Sequence, residues 1–109
     1  KGFNVLGASP VSGIEDENYF VPDKFVLYQS YPNPFNPSTT IKYSIPNSDV
    51  ISLKIYDVLG SEVATLVDEY KTVGIYSIQF NASKFASGVY FYQLRAGSFV
   101  ETKKMILMK

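Results

Sequence analysis

The chain of 109 residues contains no histidine, no cysteine and no tryptophan. Without the first two, Ser-His-Asp and Cys-His nucleophilic machinery is excluded, as is any ordinary structural or catalytic zinc site. Lack of cysteine also removes disulfides, so a small domain has only its core to hold it together. Charge of one sign is lacking as well. Ten basic and ten acidic residues leave a formal net charge of zero, and no field draws the chain to nucleic acid or to an anionic membrane surface. No apolar run approaches the roughly 18 residues that a spanning helix needs, so membrane insertion is not expected. No cofactor is expected either. The chain opens on Lys1 with no charged and apolar leader behind it, and the expectation is a C-terminal part of a larger protein whose signal peptide, if any, lies upstream. What is plentiful is apolar surface. A hydrophobic content of 46% with nine Tyr and eight Phe is enough for one packed domain in which aromatic packing carries the stability.

Residues 1–23 differ in character from residues 24–109. Gly7-Ala8-Ser9-Pro10 and Ser12-Gly13 are turn and linker chemistry, and Glu15-Asp16-Glu17-Asn18 is a solvated acidic run. Phe3, Val5 and Leu6 are too apolar for a free linker. The segment is therefore either a tether, the last strand of a preceding domain, or a piece that docks on this one. Beyond Asp23 short apolar runs recur between turn-formers. Strands are expected at 25–29, 39–45, 50–56, 62–66, 75–80, 89–95 and 99–108, separated by Pro46-Asn47-Ser48-Asp49, Asp57-Val58-Leu59-Gly60, Thr72-Val73-Gly74, Asn81-Ala82-Ser83 and Ala96-Gly97-Ser98. Seven short strands at this spacing predict an all-β antiparallel sandwich. Alternation puts Ile51, Leu53 and Ile55 on one face against Ser52 and Lys54, and Tyr76, Ile78 and Phe80 against Ser77 and Gln79. The sixth strand is apolar on both faces and should be central. Tyr90, just after Ala86-Ser87-Gly88, is a candidate tyrosine corner whose hydroxyl bonds back to the preceding connection.

The most distinctive string is Tyr31-Pro32-Asn33-Pro34-Phe35-Asn36-Pro37, followed by Ser38-Thr39-Thr40-Ile41. Prolines spaced two and three residues apart cannot lie within a helix or a central strand, because each fixes φ and removes a donor. The segment must be a rigid corner feeding a strand. Three further motifs follow in order: Ile55-Tyr56-Asp57-Val58-Leu59-Gly60, Ser87-Gly88-Val89-Tyr90-Phe91-Tyr92, and Lys103-Lys104-Met105-Ile106-Leu107-Met108-Lys109. Together, over residues 31–109, they resemble the immunoglobulin-like C-terminal sorting domains of proteins exported by the type IX (Por) secretion system of Bacteroidetes-like bacteria. A related immunoglobulin-like domain of flagellar hook-capping proteins shares part of the pattern.

The resemblance implies a non-catalytic address tag at residues 24–109, attached to an upstream passenger in the same chain. Its partners would be the type IX machinery and a surface sortase-like peptidase that removes the tag or exchanges it for an anchor. The path would run through the periplasm to the cell surface or the medium. The positions the machinery would recognise are Gly88, Tyr90, Lys103, Lys104 and Lys109, with Pro32, Asn33, Pro34 and Pro37 as the structural corner. Seen by itself, the terminal segment is an edge strand whose lysines discourage unwanted pairing. Such an edge can equally pair with a partner. Two alternatives belong to other classes, a structural adhesion or assembly module and a carbohydrate-binding accessory domain.

Other candidate chemistry is weaker than its structural explanation. Asp57 and Glu62 flank a turn and could be imagined as an acid and base pair, yet Asp at the start and Gly at the end are ordinary turn residues. Glu15, Asp16 and Glu17, or Asp68 and Glu69, offer oxygens for calcium, but neither run has the spacing of a calcium loop. Asn81-Ala82-Ser83 fits a glycosylation pattern of little weight in a bacterial-looking chain. Asn33-Pro34-Phe35 resembles a eukaryotic peptide ligand but belongs to the longer corner.

Overall fold

Ile51, Leu53 and Ile55 are completely buried while Ser52 and Lys54 between them are not, and this alternation repeats through the molecule. A computed structural model describes residues 21–109. Phe3, Val5, Leu6 and the acidic run 15–17 lie outside the described residues. Seven strands follow one another: β1 (Val26–Leu27), β2 (Ser38–Ile45), β3 (Asp49–Tyr56), β4 (Glu62–Lys71), β5 (Gly74–Asn81), β6 (Gly88–Ala96) and β7 (Phe99–Leu107). They form an antiparallel sandwich, with a sheet ordered β1-β2-β5 facing a sheet ordered β4-β3-β6-β7. Relative to a constant-type immunoglobulin domain, in which the fourth strand lies beside the fifth, β4 here has moved beside β3.

The core lies between the sheets. Its fully buried members include Ile41, Tyr43 and Ile45 from β2, Ile51, Leu53 and Ile55 from β3, Tyr92 and Leu94 from β6, and Met105 and Leu107 from β7. The sixth strand is interior, as its two apolar faces require. Phe35, Phe80, Phe85 and Tyr90 form a chain of tilted rings with centroids 6.2, 5.7 and 6.1 Å apart. That chain ties the proline corner, β5, the β5–β6 connection and β6 into one cluster. At the other end Tyr43 stacks on Tyr76 and Phe25 on Phe99, at 5.6 and 4.9 Å.

Two strands differ in extent from the sequence expectation. The first keeps only two residues of ladder. Tyr28 still donates its N–H to Lys42 O and Tyr31 exchanges both bonds with Thr40, but the prolines that follow supply no donors and end the regular pairing. β4 is longer than expected and continues through Asp68 and Glu69 to Lys71. Asp68 takes the outer face, while Glu69 lies opposite Ile51 on the inner face and pairs with Lys71 at 2.9 Å. Asp68 and Glu69 are both exposed, so these charges remain solvated while lying within a strand rather than a loop.

Candidate functional site

The C-terminal half of β7 is the place where the distant motifs meet. Gly88 lies opposite Leu107 and Tyr90 opposite Met105 in the β6–β7 register. On the far side of β7, Phe35 N–H donates to Ile106 O at 2.9 Å and Met108 N–H donates to Phe35 O at 3.0 Å, a parallel bridge around Leu107. Asn33 Oδ1 accepts the Ile106 N–H at 2.9 Å, and Gln29 Nε2 donates to Lys104 O at 2.9 Å. From Lys104 to Met108 the outer edge of β7 is therefore engaged by the chain's own corner and is not free to pair with another strand. Phe35 anchors the clamp from the core.

The corner is locked to the rest of the fold at both ends. Thr39 Oγ1 donates to Pro32 O at 2.7 Å, and Ala82 N–H donates to Pro37 O at 2.8 Å. Pro32, Asn33 and Pro34 are exposed. The peptide bonds preceding Pro32, Pro34 and Pro37 are cis.

Gly88 begins β6 at φ +152°, a backbone conformation that residues with side chains rarely adopt, although a Cβ there would meet open space. Backbone geometry, rather than crowding, is what calls for glycine. Tyr90 is buried and donates its hydroxyl to Ala86 O at 2.7 Å, which closes the connection before β6 as a tyrosine corner does. Two residues on, the Tyr92 hydroxyl accepts the Ser30 N–H and donates to Tyr28 O, both at 2.8 Å. Burial pushes the Tyr92 phenol above its ordinary value, more than the bonds from Ser30 pull it down. Burial likewise raises Tyr43, opposed by the nearby Lys71.

The three lysines are placed differently. Lys103 shares the inner face with Met105 and Leu107 and sits 3.6 Å from Glu101. Lys104 is on the outer face and exposed. Lys109 folds back, donating Nζ to Ser83 O at 2.7 Å and its N–H to Ser87 Oγ at 3.1 Å. Lys104 and Lys109 thus flank the corner while Lys103 turns away from it. Gln29, Phe35, Ser83 and Ser87 belong to this assembly but are not among the recognition positions expected from sequence. Phe35 and Ser87 lie inside the motifs that carry the resemblance, and Phe35, a lone large apolar residue inside a proline run, carries a local signal of its own.

The imagined acid and base pair does not converge. Asp57 Oδ1 accepts the N–H groups of Leu59 and Ser61, both at 2.9 Å, and fixes the turn around Gly60 at φ +84°. Glu62 accepts from Thr65 at 2.7 Å and pairs with Lys54 at 3.4 Å. The Thr65 bond, helped by Lys54, holds the Glu62 carboxyl below its ordinary value. Asp68 and Glu69 point to opposite faces and cannot share a cation. Asn81 Oδ1 caps a local turn by accepting Ser83 N–H at 2.9 Å.

These features define a β-sandwich domain whose most specific surface gathers three separated motifs around its last strand. The model of the secretion system C-terminal sorting domain family matches residues 29–108. The chain belongs to that family, the sorting domains of the Por, or type IX, secretion system, and its role is to direct secretion. Such a domain implies delivery to the cell surface or the medium. No curated protein sequence matches the chain. Among solved structures it is similar to PorZ, an essential bacterial surface component of the type IX secretion system of Porphyromonas gingivalis. The likeness has a TM-score of 0.55 at 22% identity and covers 76% of this chain. It covers 11% of the PorZ chain and is a likeness of fold.

Proposed function

We propose that the export machinery recognises the surface assembled around the end of β7, formed by the exposed corner at Pro32, Asn33 and Pro34, the Gly88 turn tied down by Tyr90, and the cations of Lys104 and Lys109. Lys103 contributes through its pairing with Glu101. One observation carries the reading. Segments separated by more than 70 residues in sequence are joined here by direct bonds, the Asn33 to Ile106 contact among them. A surface assembled this way exists only once the sandwich has closed, so it can report that the tag is folded. By family resemblance, the tagged passenger waits in the periplasm, crosses the outer membrane, and meets a sortase-like peptidase that removes the tag or exchanges it for an anchor.

Replacing Lys103 and Lys104 by Ser tests the recognition half of this reading. Lys104 is exposed and the Lys103–Glu101 pair is a surface ion pair, worth about 0–1 kcal/mol. The melting temperature of the double variant should hold while secretion of a tagged passenger is lost. Lys104→Ser alone should account for most of that loss. Normal secretion of the double variant would remove the lysines from the recognition surface.

A further inference from the structure

The outer face of the four-stranded sheet carries an open trough of about 420 Å³, within the roughly 300–1,000 Å³ of small-molecule sites. The sheet register lays out its floor. Tyr56 of β3 lies opposite Phe91 of β6, and Gln93 of β6 lies opposite Thr102 of β7. From Phe91 to Arg95 the floor follows β6 for about 13 Å, at roughly 3.3 Å per residue. The turn at Asp57 and Gly60 closes one end, and Arg95 stands at the other. The trough is therefore elongated along the strands.

Its polar groups hold one another in place. Gln93 donates Nε2 to Thr102 Oγ1 at 3.1 Å and accepts from Arg95 Nη2 at 3.3 Å, which sets three side chains in a row. Arg95 is exposed and, among the described residues, pairs with no carboxylate, so most of its five N–H donors are unspent. Asp57 Oδ1 is spent on the amides of its own turn, which leaves Oδ2 as an acceptor at the opposite end. Between these ends Tyr56 and Phe91 sit half-buried side by side. Charges of both signs surround the trough. Lys54 is paired with Glu62, Lys104 stands beside Phe91, and Asp68 lies across Ser52 from Arg95. Their balance selects neither an anion nor a cation. An added strand is excluded too, because β3 and β6 are interior and bonded on both sides within the sheet.

We infer that this trough binds a neutral polysaccharide chain, its hexose rings laid along β6. A ligand that fits must be uncharged, apolar on its broad faces and ringed by groups that both donate and accept. A pyranose meets all three conditions. Its C–H faces would rest on the Tyr56 and Phe91 rings, whose faces carry the negative end of the ring quadrupole. Its hydroxyls would accept from Arg95 and donate to Asp57 Oδ2, while the Tyr56 and Thr102 hydroxyls can do either. The row fixed by Gln93 is set before the sugar arrives, which lowers the ordering cost of binding. The site is additional to the sorting role, and its test reads binding rather than secretion, so it stands apart from recognition at the end of β7.

Titration of the full 109-residue chain with hexasaccharides of β-1,4-linked and of α-1,4-linked glucose, followed by amide shifts in two-dimensional NMR, tests it. At millimolar sugar the amides of Tyr56, Gly60, Phe91, Gln93, Arg95 and Thr102 should move with at least one of the two, equally in dilute buffer and in molar salt. Gln93→Ala and Arg95→Ala change side chains on the solvent face, so the fold is kept and each should weaken binding about fivefold. Phe91→Leu keeps apolar volume but removes the ring, and should weaken binding about tenfold. No shift with either sugar, shifts centred on Thr40 and Lys42 of the other sheet, full affinity in Phe91→Leu, or unchanged affinity in both alanine variants would overturn the inference. So would preference for an oligomer of galacturonate that is lost in molar salt, which would mark an anion site at Arg95 and Lys104.

Discussion

Tyr90 and Tyr92 lie two residues apart on one face of β6, yet their hydroxyls close different gaps. Tyr90 satisfies one acceptor, Ala86 O, in a partly exposed connection. Tyr92 satisfies a donor and an acceptor of the segment before the corner, and the Ser30 N–H it accepts is buried. Deleting a hydroxyl removes a bond worth about 1 kcal/mol, while stranding a buried partner costs about 1–3 kcal/mol. Tyr92→Phe should therefore destabilise more than Tyr90→Phe, and urea midpoints of the two variants at equal m-value check the order. The same burial has a consequence for pH. Tyr43 and Tyr92 have phenols raised above the ordinary value near 10. Both therefore keep their protons in the folded state at a pH where the unfolded chain gives them up. The stability this provides is complete below about pH 10 and is lost as pH climbs through the raised folded values. Melting temperature should fall with rising pH above about 10. In Tyr43→Phe/Tyr92→Phe that fall should be shallower, although the double variant starts from a lower stability.

At the scale of elements, the corner and β7 behave as one unit. Asn33 lends its side chain to the Ile106 N–H and Phe35 lends its backbone on both sides of Leu107. Asn33→Ala leaves the hydrophobic anchor in place and removes one exposed bond, so global stability should fall by no more than about 1 kcal/mol. Amide exchange at Ile106 should nevertheless quicken, while Tyr92 and Leu94 at the sheet centre stay protected. Unchanged exchange at Ile106 would mean that the clamp is held by Phe35 alone. The rigidity of this corner was legible in its prolines, because their constraint is local. Its destination was not, since no spacing or periodicity connects Asn33 to a strand 73 residues away. The length of β4 was hidden for a different reason. Asp68 and Glu69 are exposed at the end of an edge strand, and solvated charges of this kind have the same residue types as a loop. Where faces alternate regularly, as in β3 and β5, the sequence pattern and the burial agree residue by residue.

At the scale of the whole molecule, the remaining question is whether the tag is sufficient. The family match covers residues 29–108, and the strands, the ring cluster and the corner all fall within residues 24–109. Every bond described around β7 has both partners inside that range. Residues 24–109 should then fold without anything upstream and carry an unrelated periplasmic fluorescent protein out of a cell with a working type IX apparatus. Tyr90→Ala should abolish this. It removes the last ring of the Phe35–Phe80–Phe85–Tyr90 chain and costs about 3–5 kcal/mol, a large share of the roughly 5–15 kcal/mol that holds a domain together. Tyr90→Phe keeps the ring and loses only the bond to Ala86, so fluorescence should still reach the medium or the cell surface at a somewhat reduced yield. The contrast between the two variants separates a requirement for a folded surface from a requirement for the hydroxyl itself. A fusion that is folded, intact and retained in the periplasm would show that recognition needs residues before 24. That outcome would move the search for the signal into the segment around Phe3, Val5 and Leu6.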